Sequence, residues 1–532
     1  MVTANSGLSV GRPARNLHYW IGRLQPIAAS QLAMWLGLTC LFAALPLFFI
    51  KHARLNDPDI WWHLRAGEWI LQNHRIPHVD VFSTTTLGRP WVEYCWLFDV
   101  GSNWLVAHFD LAGIIWFQTL LRLAVTGILF SLVRRLIPQF FWRAVAITGM
   151  ATLAMAWSLT PRPGAFSVLF FVLELYVLVR ARQSANVRLL WILPVLFVVW
   201  ANIHVEFVTG LFVLGVWCGE PWLKKLTGTE AGAQSGLDPF PRQLCMVAGA
   251  CFFAILCNPY GFRLLTTVVQ LARDTEIYNL IIEFHAMFFR TINDWAVLAL
   301  LMWACFALGR SRAFRPAWAV LLAWSAWMGF RSLREVWLVA ILAAVIIAET
   351  YGESSFAEEQ TERLEPGPVL RPSLRMATAI TVLLLLVAGA SVWSLNSHGL
   401  LDQVALNFPI GAVKYIRAHH LQGPLLNELS WGGFLIYAVP EVSPSMDGRT
   451  NVHSQAEILR ADALWNGEAG WEKRPELQSA NLVISNHSWP LAALLRNDRR
   501  FRVVYEDGTA VLFQAVRPDR ANREPAPERP PL

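Results

Sequence analysis

The 532-residue chain is 55% apolar and only 15% charged, a balance that excludes an ordinary soluble domain. Its formal charge of +6 is modest and scattered, which argues against a nucleic-acid partner. Seven cysteines without paired spacing point to neither a disulfide framework nor a zinc site.

Residues before Arg23 lack a cleavable-signal pattern, and 1–29 reads as a cytoplasmic segment. Long apolar runs then recur at 31–50, 111–133, 141–159, 165–179, 189–200, 207–217, 244–256, 295–308, 317–330, 336–348 and 377–392. A bilayer core takes roughly 20 apolar residues in helical form, because no backbone polar group stays unpaired there. The shorter runs are therefore expected to extend into Trp- and Arg-bearing flanks. This predicts an α-helical polytopic membrane protein of about 11 spans, with 189–217 as the least regular stretch. With the N-terminus inside, every inner segment is basic: Arg12/Arg15/Arg23, Arg134/Arg135/Arg143, Arg180/Arg182/Arg188, Lys224/Lys225/Arg242, Arg310/Arg312/Arg315 and Arg363/Arg371/Arg375. That is the positive-inside pattern, and an odd span count puts the C-terminal segment outside. Six cysteines fall in or beside spans, leaving Cys95 as the external one.

The first outer loop, 51–110 within a membrane domain of 30–394, is too long to be a mere connection. Asp57 reads as an N-cap and Pro58 suits a first helical turn. Residues 58–73 are expected as a helix in the interface plane, with Trp61, Trp62 and Trp69 at headgroup depth. Turn-rich sequence follows, and 96–109 reads as a second interfacial helix. The next long outer loop, 258–294, opens on the turn sequence Asn258-Pro259-Tyr260-Gly261. The acidic inner loop 351–375 reads as flexible.

From about 395 to 517 the pattern changes. Residues 410–420 have helical period, 424–429 and 481–485 read as buried strands, and 502–506 and 510–515 flank the hairpin signal Asp507-Gly508. A small α/β domain outside the membrane is predicted, followed by a Pro/Arg/Glu-rich disordered tail at 518–532.

The densest chemistry is Asp57-Pro58-Asp59-Ile60-Trp61-Trp62-His63-Leu64-Arg65. Asp57 is expected to cap the helix. Asp59, set among aromatic residues beside His63, sits where a partly dry setting raises a carboxylate's pKa and makes a usable general base. His63 and His204 are expected as hydrogen-bonding partners, since no metal-ligand spacing accompanies them. Outer arginines are few: Arg65, Arg162, Arg263, Arg331 and Arg334. Guanidinium matches phosphate oxygens bidentately, and Arg331 and Arg334 are expected on one helical face, holding either a donor phosphate or lipid headgroups. Arg122 and Glu174 fall within spans and are expected to pair. Asp447-Gly448-Arg449 marks a strand-to-turn exit or an acceptor- or sugar-binding turn.

The segment Asp59-x-Trp61-Trp62-His63-Leu64-Arg65 resembles the Asp-x-aromatic-aromatic-polar-x-Arg segment of oligosaccharyltransferase catalytic subunits, and is similar more broadly to the GT-C superfamily of membrane glycosyltransferases. Asp80-Val81-Phe82-Ser83, Pro90-Trp91, Trp96-Leu97, Pro161-Arg162-Pro163, Asn202-Ile203-His204, Asn258-Pro259-Tyr260-Gly261 and Trp431-Gly432-Gly433 with Asp447-Gly448-Arg449 resemble a group of bacterial GT-C-like membrane proteins over most of the chain. The resemblance implies transfer of a sugar from a polyprenyl-phosphate donor to an extracytoplasmic acceptor at a bacterial inner membrane. It implies a first-loop Asp as base, here Asp59 with Asp57 and His63, and phosphate-side arginines drawn from Arg331, Arg334, Arg263 and Arg65. Where a Glu is expected before Trp96 stands Cys95, so an acceptor-side or second carboxylate falls to Asp80, Glu93 or Asp99. A divalent metal stays open: the Asp-x-Asp of this loop, Asp57-Pro58-Asp59, is read as a helix cap and a base and not as a metal pair. The rival reading is a non-catalytic transporter or lipid-linked-glycan binding protein, which the clustering of ionisable groups in loops rather than along spans disfavours.

Overall fold

The computed structural model describes residues 31–44, 55–229, 239–273, 276, 280–311, 314–359 and 397–516. From Val336 to Ala348 the chain carries no polar group except the Trp337 indole, so nothing in this stretch needs water. It forms the centre of a helical bundle, each of its residues at most 5% exposed. Around it the helices follow the apolar runs. They are α1 (Gln31–Thr39), α3 (Trp96–Leu136), α4 (Phe141–Ala154), α5 (Gly164–Gln183), α6 (Leu193–Ala201), α7 (Phe207–Cys218), α9 (Pro239–Ala254), α11 (Ile292–Arg310), α12 (Pro316–Arg331) and the central α13 (Val336–Glu359). Between them lie α2 (Ile60–Asn73), α8 (Glu220–Thr227) and α10 (Arg263–Arg273). By length and composition α3, α5 and α11 are long and apolar enough to cross a membrane, and α1, α4, α6, α7 and α9 are shorter apolar helices. The run at 377–392, the loop beyond Glu359 and the tail from 518 lie outside the described residues.

The junction expected near 110 is sharp. Asp110 takes a left-handed φ of 55°, and its own carboxylate accepts the Leu111 amide at 2.8 Å, ending one helical stretch and starting the next. Trp96–Phe109 therefore runs in a different direction from the span that follows.

Two expectations for this region are corrected. The first helix begins at Ile60, not at Pro58, and Asp59 holds the N-cap position without a side-chain cap bond. Asp57 accepts the Asp59 amide at 2.9 Å from one turn outside. Trp61 and Trp62 are buried in protein, 2% and 8% exposed, and Trp61 packs edge-on against Phe408 and Phe434 of the C-terminal region. Cys95 is likewise buried in the first loop.

Arg122 and Glu174 do not pair. Arg122 donates to the Leu159 carbonyl from Nε at 3.1 Å and from Nη2 at 2.7 Å, closing the turn after α4. Glu174 is buried on α5, and neither of its carboxyl oxygens has a hydrogen-bond partner among the described residues. The sequence placed both at similar depth but said nothing of which helix faces met.

The C-terminal domain carries a four-stranded sheet in the order β1-β2-β4-β3, from β1 (Leu425–Asn427), β2 (Leu482–Asn486), β3 (Phe501–Glu506) and β4 (Ala510–Ala515). β1 and β2 are parallel, the other pairs antiparallel. The predicted strands and hairpin are all present, Asp507 accepting the Thr509 and Ala510 amides at 2.8 Å to form the turn. Both faces of β2 and β4 are covered, which is why they read as unbroken apolar runs. Val483, Val511 and Phe513 join a small core with Leu464, Leu477, Leu491 and Leu495. Leu482, Ile484 and Leu512 face the other way and belong to the core continuous with the bundle.

One buried cation fastens this domain to the first long loop. Arg449 is fully buried; it donates in parallel to Asp447 from Nε and Nη2, both at 2.7 Å, and its Nη1 lies 2.8 Å from Asp80 Oδ1. Trp91 and Phe82 lie under the guanidinium, with centroids at 4.5 and 5.3 Å. Asp80 in turn accepts the Phe82 amide at 3.0 Å and the Thr86 hydroxyl at 2.6 Å, so it is a loop organiser. Removing one partner of such a pair leaves an uncompensated buried charge. Arg449→Leu is expected to lower stability by about 3–5 kcal/mol. Thermal unfolding of the purified protein measures it, together with proteolytic release of the C-terminal domain.

Candidate active site

Five connecting segments converge at one end of the bundle. Asp57 and Asp59 come from the approach to α2, Arg162 from the turn between α4 and α5, and His204 and Glu206 from the turn between α6 and α7. Glu283 sits on the short 3-10 turn Ile282–Phe284, and Arg334 on Leu333–Glu335 between α12 and α13. Backbone bonds fix the last two to each other, Leu333 N to His285 O at 2.9 Å and Met287 N to Phe330 O at 3.1 Å.

Arg162 is the hub. Its Nε donates to Asp57, and its Nη1 lies 2.6 Å from Glu283 Oε2 and 3.4 Å from Asp59 Oδ2. Glu283 extends to Arg334, 3.8 Å away. Arg334 contacts Glu206 from Nε at 3.3 Å and His204 Nε2 from Nη2 at 3.0 Å. His204 Nδ1 lies 2.9 Å from the Ser167 hydroxyl, which accepts the Trp200 indole N–H at 2.8 Å. The cluster is thus anchored in the packed interior of α5 and α6.

Its acids are not equivalent. Burial opposes ionisation of Glu283 and Glu206, yet their partners outweigh it, Arg162 and Arg334 for Glu283, the contacts with His204 and Arg334 for Glu206. Both stay below the ordinary carboxylate range. Asp59 goes the other way. Burial raises it from 3.8 to about 6, with Asp57 and Glu283 adding to the rise and Arg162 opposing it. Its Oδ1 accepts the Trp62 indole at 3.3 Å, while 23% of its side chain remains accessible. A carboxylate poised near neutrality at an accessible position is suited to taking a proton.

Beneath Asp59 the ring of His63 lies on that of Trp62, centroids 3.6 Å apart, with its Nδ1 2.6 Å from Asp99 Oδ1. Burial, then Arg162 and His204, holds His63 well below its usual pKa, so the imidazole is neutral. Glu93 is buried near Asp99 and is pushed up to about 8 by burial. His63, Asp99 and Glu93 therefore form a floor under the site, and Asp80 lies apart with Arg449.

The C-terminal domain closes the other side. A Cβ on Gly448 would stand 2.3 Å from Asp59 Oδ1, and one on Gly433 would stand 2.5 Å from the Pro58 carbonyl. These approaches admit only glycine, which gives both motif glycines a steric reason.

Of the residues singled out from sequence, Asp57 and Asp59 meet Arg162, and Arg334 meets His204, the two groups being joined through Glu283, with His63 beside them. Arg331 ends α12, is exposed and lies over the Trp327 ring at 5.3 Å. The expected shared face with Arg334 is lost because the helix breaks at Ser332. Arg65 pairs with Glu68 at 2.5 Å, and Arg263 is exposed at the start of α10. Glu283 and Glu206 were not singled out. Their only sequence signal is an acid directly after an apolar stretch at a helix-connecting turn.

No protein-family model and no curated protein matches this sequence. Solved structures do. The oligosaccharyltransferase of Archaeoglobus fulgidus in its apo form superposes with a TM-score of 0.52 at 11% identity, covering 88% of this chain and 70% of that one. An oligosaccharyltransferase of that organism in complex with an inhibitory peptide and a dolichol-phosphate gives 0.52 at 11% identity over 86% and 69%. The first enzyme tethered to an acceptor peptide gives 0.50 at 12% identity over 86% and 69%. The fold is similar to that of these oligosaccharyltransferase structures.

Two outcomes test the electrostatics. Infrared difference spectra of the protein against Asp59→Asn are expected to show a carboxyl band that titrates near pH 6. Because the folded chain keeps this proton to a higher pH than the unfolded chain, its contribution to stability is greatest in acid and is lost as pH rises from 3.8 to about 6. Gly448→Ala is expected to displace the Asp59 carboxylate and move that titration, with the fold intact by circular dichroism.

Proposed function

We propose that this protein is a membrane glycosyltransferase that moves a sugar from a polyprenyl-phosphate-linked donor to an extracytoplasmic acceptor. The observation that carries the reading is Asp59: a buried-edge carboxylate raised to about 6, facing Arg162 in a GT-C fold. Inverting transfer needs a base for the acceptor's proton and a cation for the departing phosphate. In this reading the acceptor's oxygen or nitrogen attacks the anomeric carbon and Asp59 takes its proton. The bond from that carbon to the phosphate oxygen breaks, and the lipid phosphate leaves with its new charge facing Arg334. Arg331, exposed beside Trp327, and Arg263 are proposed to steer the donor headgroup. Asp57 positions both Asp59 and Arg162, and His63 packs against Trp62, which holds Asp59.

The same reading takes about eleven spans, a cytoplasmic N-terminus, and an outward C-terminal domain at 395–517 that selects the acceptor, in a bacterial inner membrane. The basic inner segments support that orientation. The dolichol-phosphate held by the structural neighbour supports a lipid-linked donor here.

Asp59→Asn is expected to lower transfer about 10²–10⁴-fold, in kcat rather than KM, since only proton removal is lost. Mass spectrometry of surface glycans and lipid-linked sugars in a deletion strain, complemented with wild type or Asp59→Asn, is the test. Full rescue by the variant removes Asp59 as the base. An unchanged glycan and carrier profile on deletion supports a non-catalytic transporter or binding protein.

A further inference from the structure

The cation at the centre of this site is part of the chain. Asp57, Asp59 and Glu283 all direct an oxygen at Arg162, the first at Nε and the other two at Nη1, 3.4 and 2.6 Å away. A divalent ion bound by these acids needs their oxygens on one common centre at about 2.0–2.6 Å. The planar guanidinium stands between them instead. Asp59 has its second oxygen engaged as well, by the Trp62 indole at 3.3 Å and under Gly448, where a Cβ would sit 2.3 Å away. Among the described residues no three His, Cys, Asp or Glu side chains are grouped to hold a metal ion. Glu206, the remaining acid of the cluster, is engaged by Arg334, and Glu283 is shared between the two arginines.

We propose that Arg162 is the resident cation of this site, occupying the position in which its three carboxylates would otherwise gather a divalent metal. The inference deepens the transferase reading by naming which cation neutralises the acids around Asp59. A guanidinium suits the role: it is charged at every working pH and presents donors in a fixed fork to several carboxylates at once. It also ties the approach to α2, the α4–α5 turn and the Ile282–Phe284 turn together, so charge compensation and loop placement are one device. Arg162 is in this view a positioning residue whose charge sets the ionisation of Asp59.

The test reads cation binding and titration, never sugar transfer, so its failure is separate from failure of the transferase reading. In the full-length protein, Mn²⁺ followed by electron paramagnetic resonance is expected to show no saturable binding that depends on Glu283. Its thermal midpoint is expected to be unmoved by EDTA or Mn²⁺. Saturable Mn²⁺ binding in the wild type that Glu283→Gln or Asp59→Asn abolishes would overturn the proposal. Arg162→Ala is expected to move the Asp59 carboxyl titration upward by about 1–3 pH units, the loss of an adjacent opposite charge. Millimolar guanidinium or Mn²⁺ is expected to bring it back, and Arg162→Lys to hold it closer to wild type. An unmoved titration in a folded Arg162→Ala also overturns it. Should that variant fail to fold, the wild-type Mn²⁺ measurement decides alone.

Discussion

The buried Arg449 guanidinium, gripped by Asp447 on its own turn and by Asp80 of the first long loop, is the interaction on which the site geometry rests. A second, more exposed pair, Arg89 with Glu457 at 2.7 Å, joins the same loop and domain, but Arg449 is the buried one. With it the turn carrying Gly448 comes down on Asp59, and α16 (Leu429–Ala438) comes down on Pro58 and Trp61. The desolvation that raises Asp59 follows from that contact. A domain separated from Asp59 by nearly 400 residues of sequence thus sets the protonation of a carboxylate in the first loop.

Two arginines with opposite surroundings explain the division of labour. Arg449 has every polar neighbour inside the protein and stands over aromatic rings, a fixed structural ion. Arg162 stands at the mouth of the bundle among three carboxylates from two segments, 22% of its side chain accessible. Buried charges are costly unless paired. Pairing each of them across different segments makes the cost of separating those segments high, and so keeps the helix-connecting turns in register. The Ser167, Trp200 and His204 chain does the same from below, carrying the rigidity of packed helices out to Arg334.

The acids sort by their neighbours. Glu283 and Glu206 face cations closely and stay ionised, whereas Asp59 meets Arg162 only at 3.4 Å and shares its surroundings with two other acids. The same residue type therefore yields fixed counter-ions and one titrating group within a single cluster. Such a separation of pKa values between neighbouring acids follows from environment and not from residue type.

Much of this was legible in the sequence, and for definite reasons. Apolar runs gave the helices because a residue needing no water is recognisable by type alone. The period-two and buried-run patterns gave β1 to β4, and Asp507-Gly508 gave the hairpin. Asp59 stood out because a carboxylate between a proline turn and two tryptophans is chemically conspicuous. What sequence left undecided is the meeting of faces. Arg122 and Glu174 lie at similar depth yet turn to different neighbours, and the break at Ser332 parts Arg331 from Arg334. Glu283 and Glu206 carry no local mark, and Asp80 looked like chemistry while serving Arg449. Local type and period are written along the chain. Which charge stands opposite which is decided only when turns hundreds of residues apart are brought within a few ångströms, because pairing depends on distance in space.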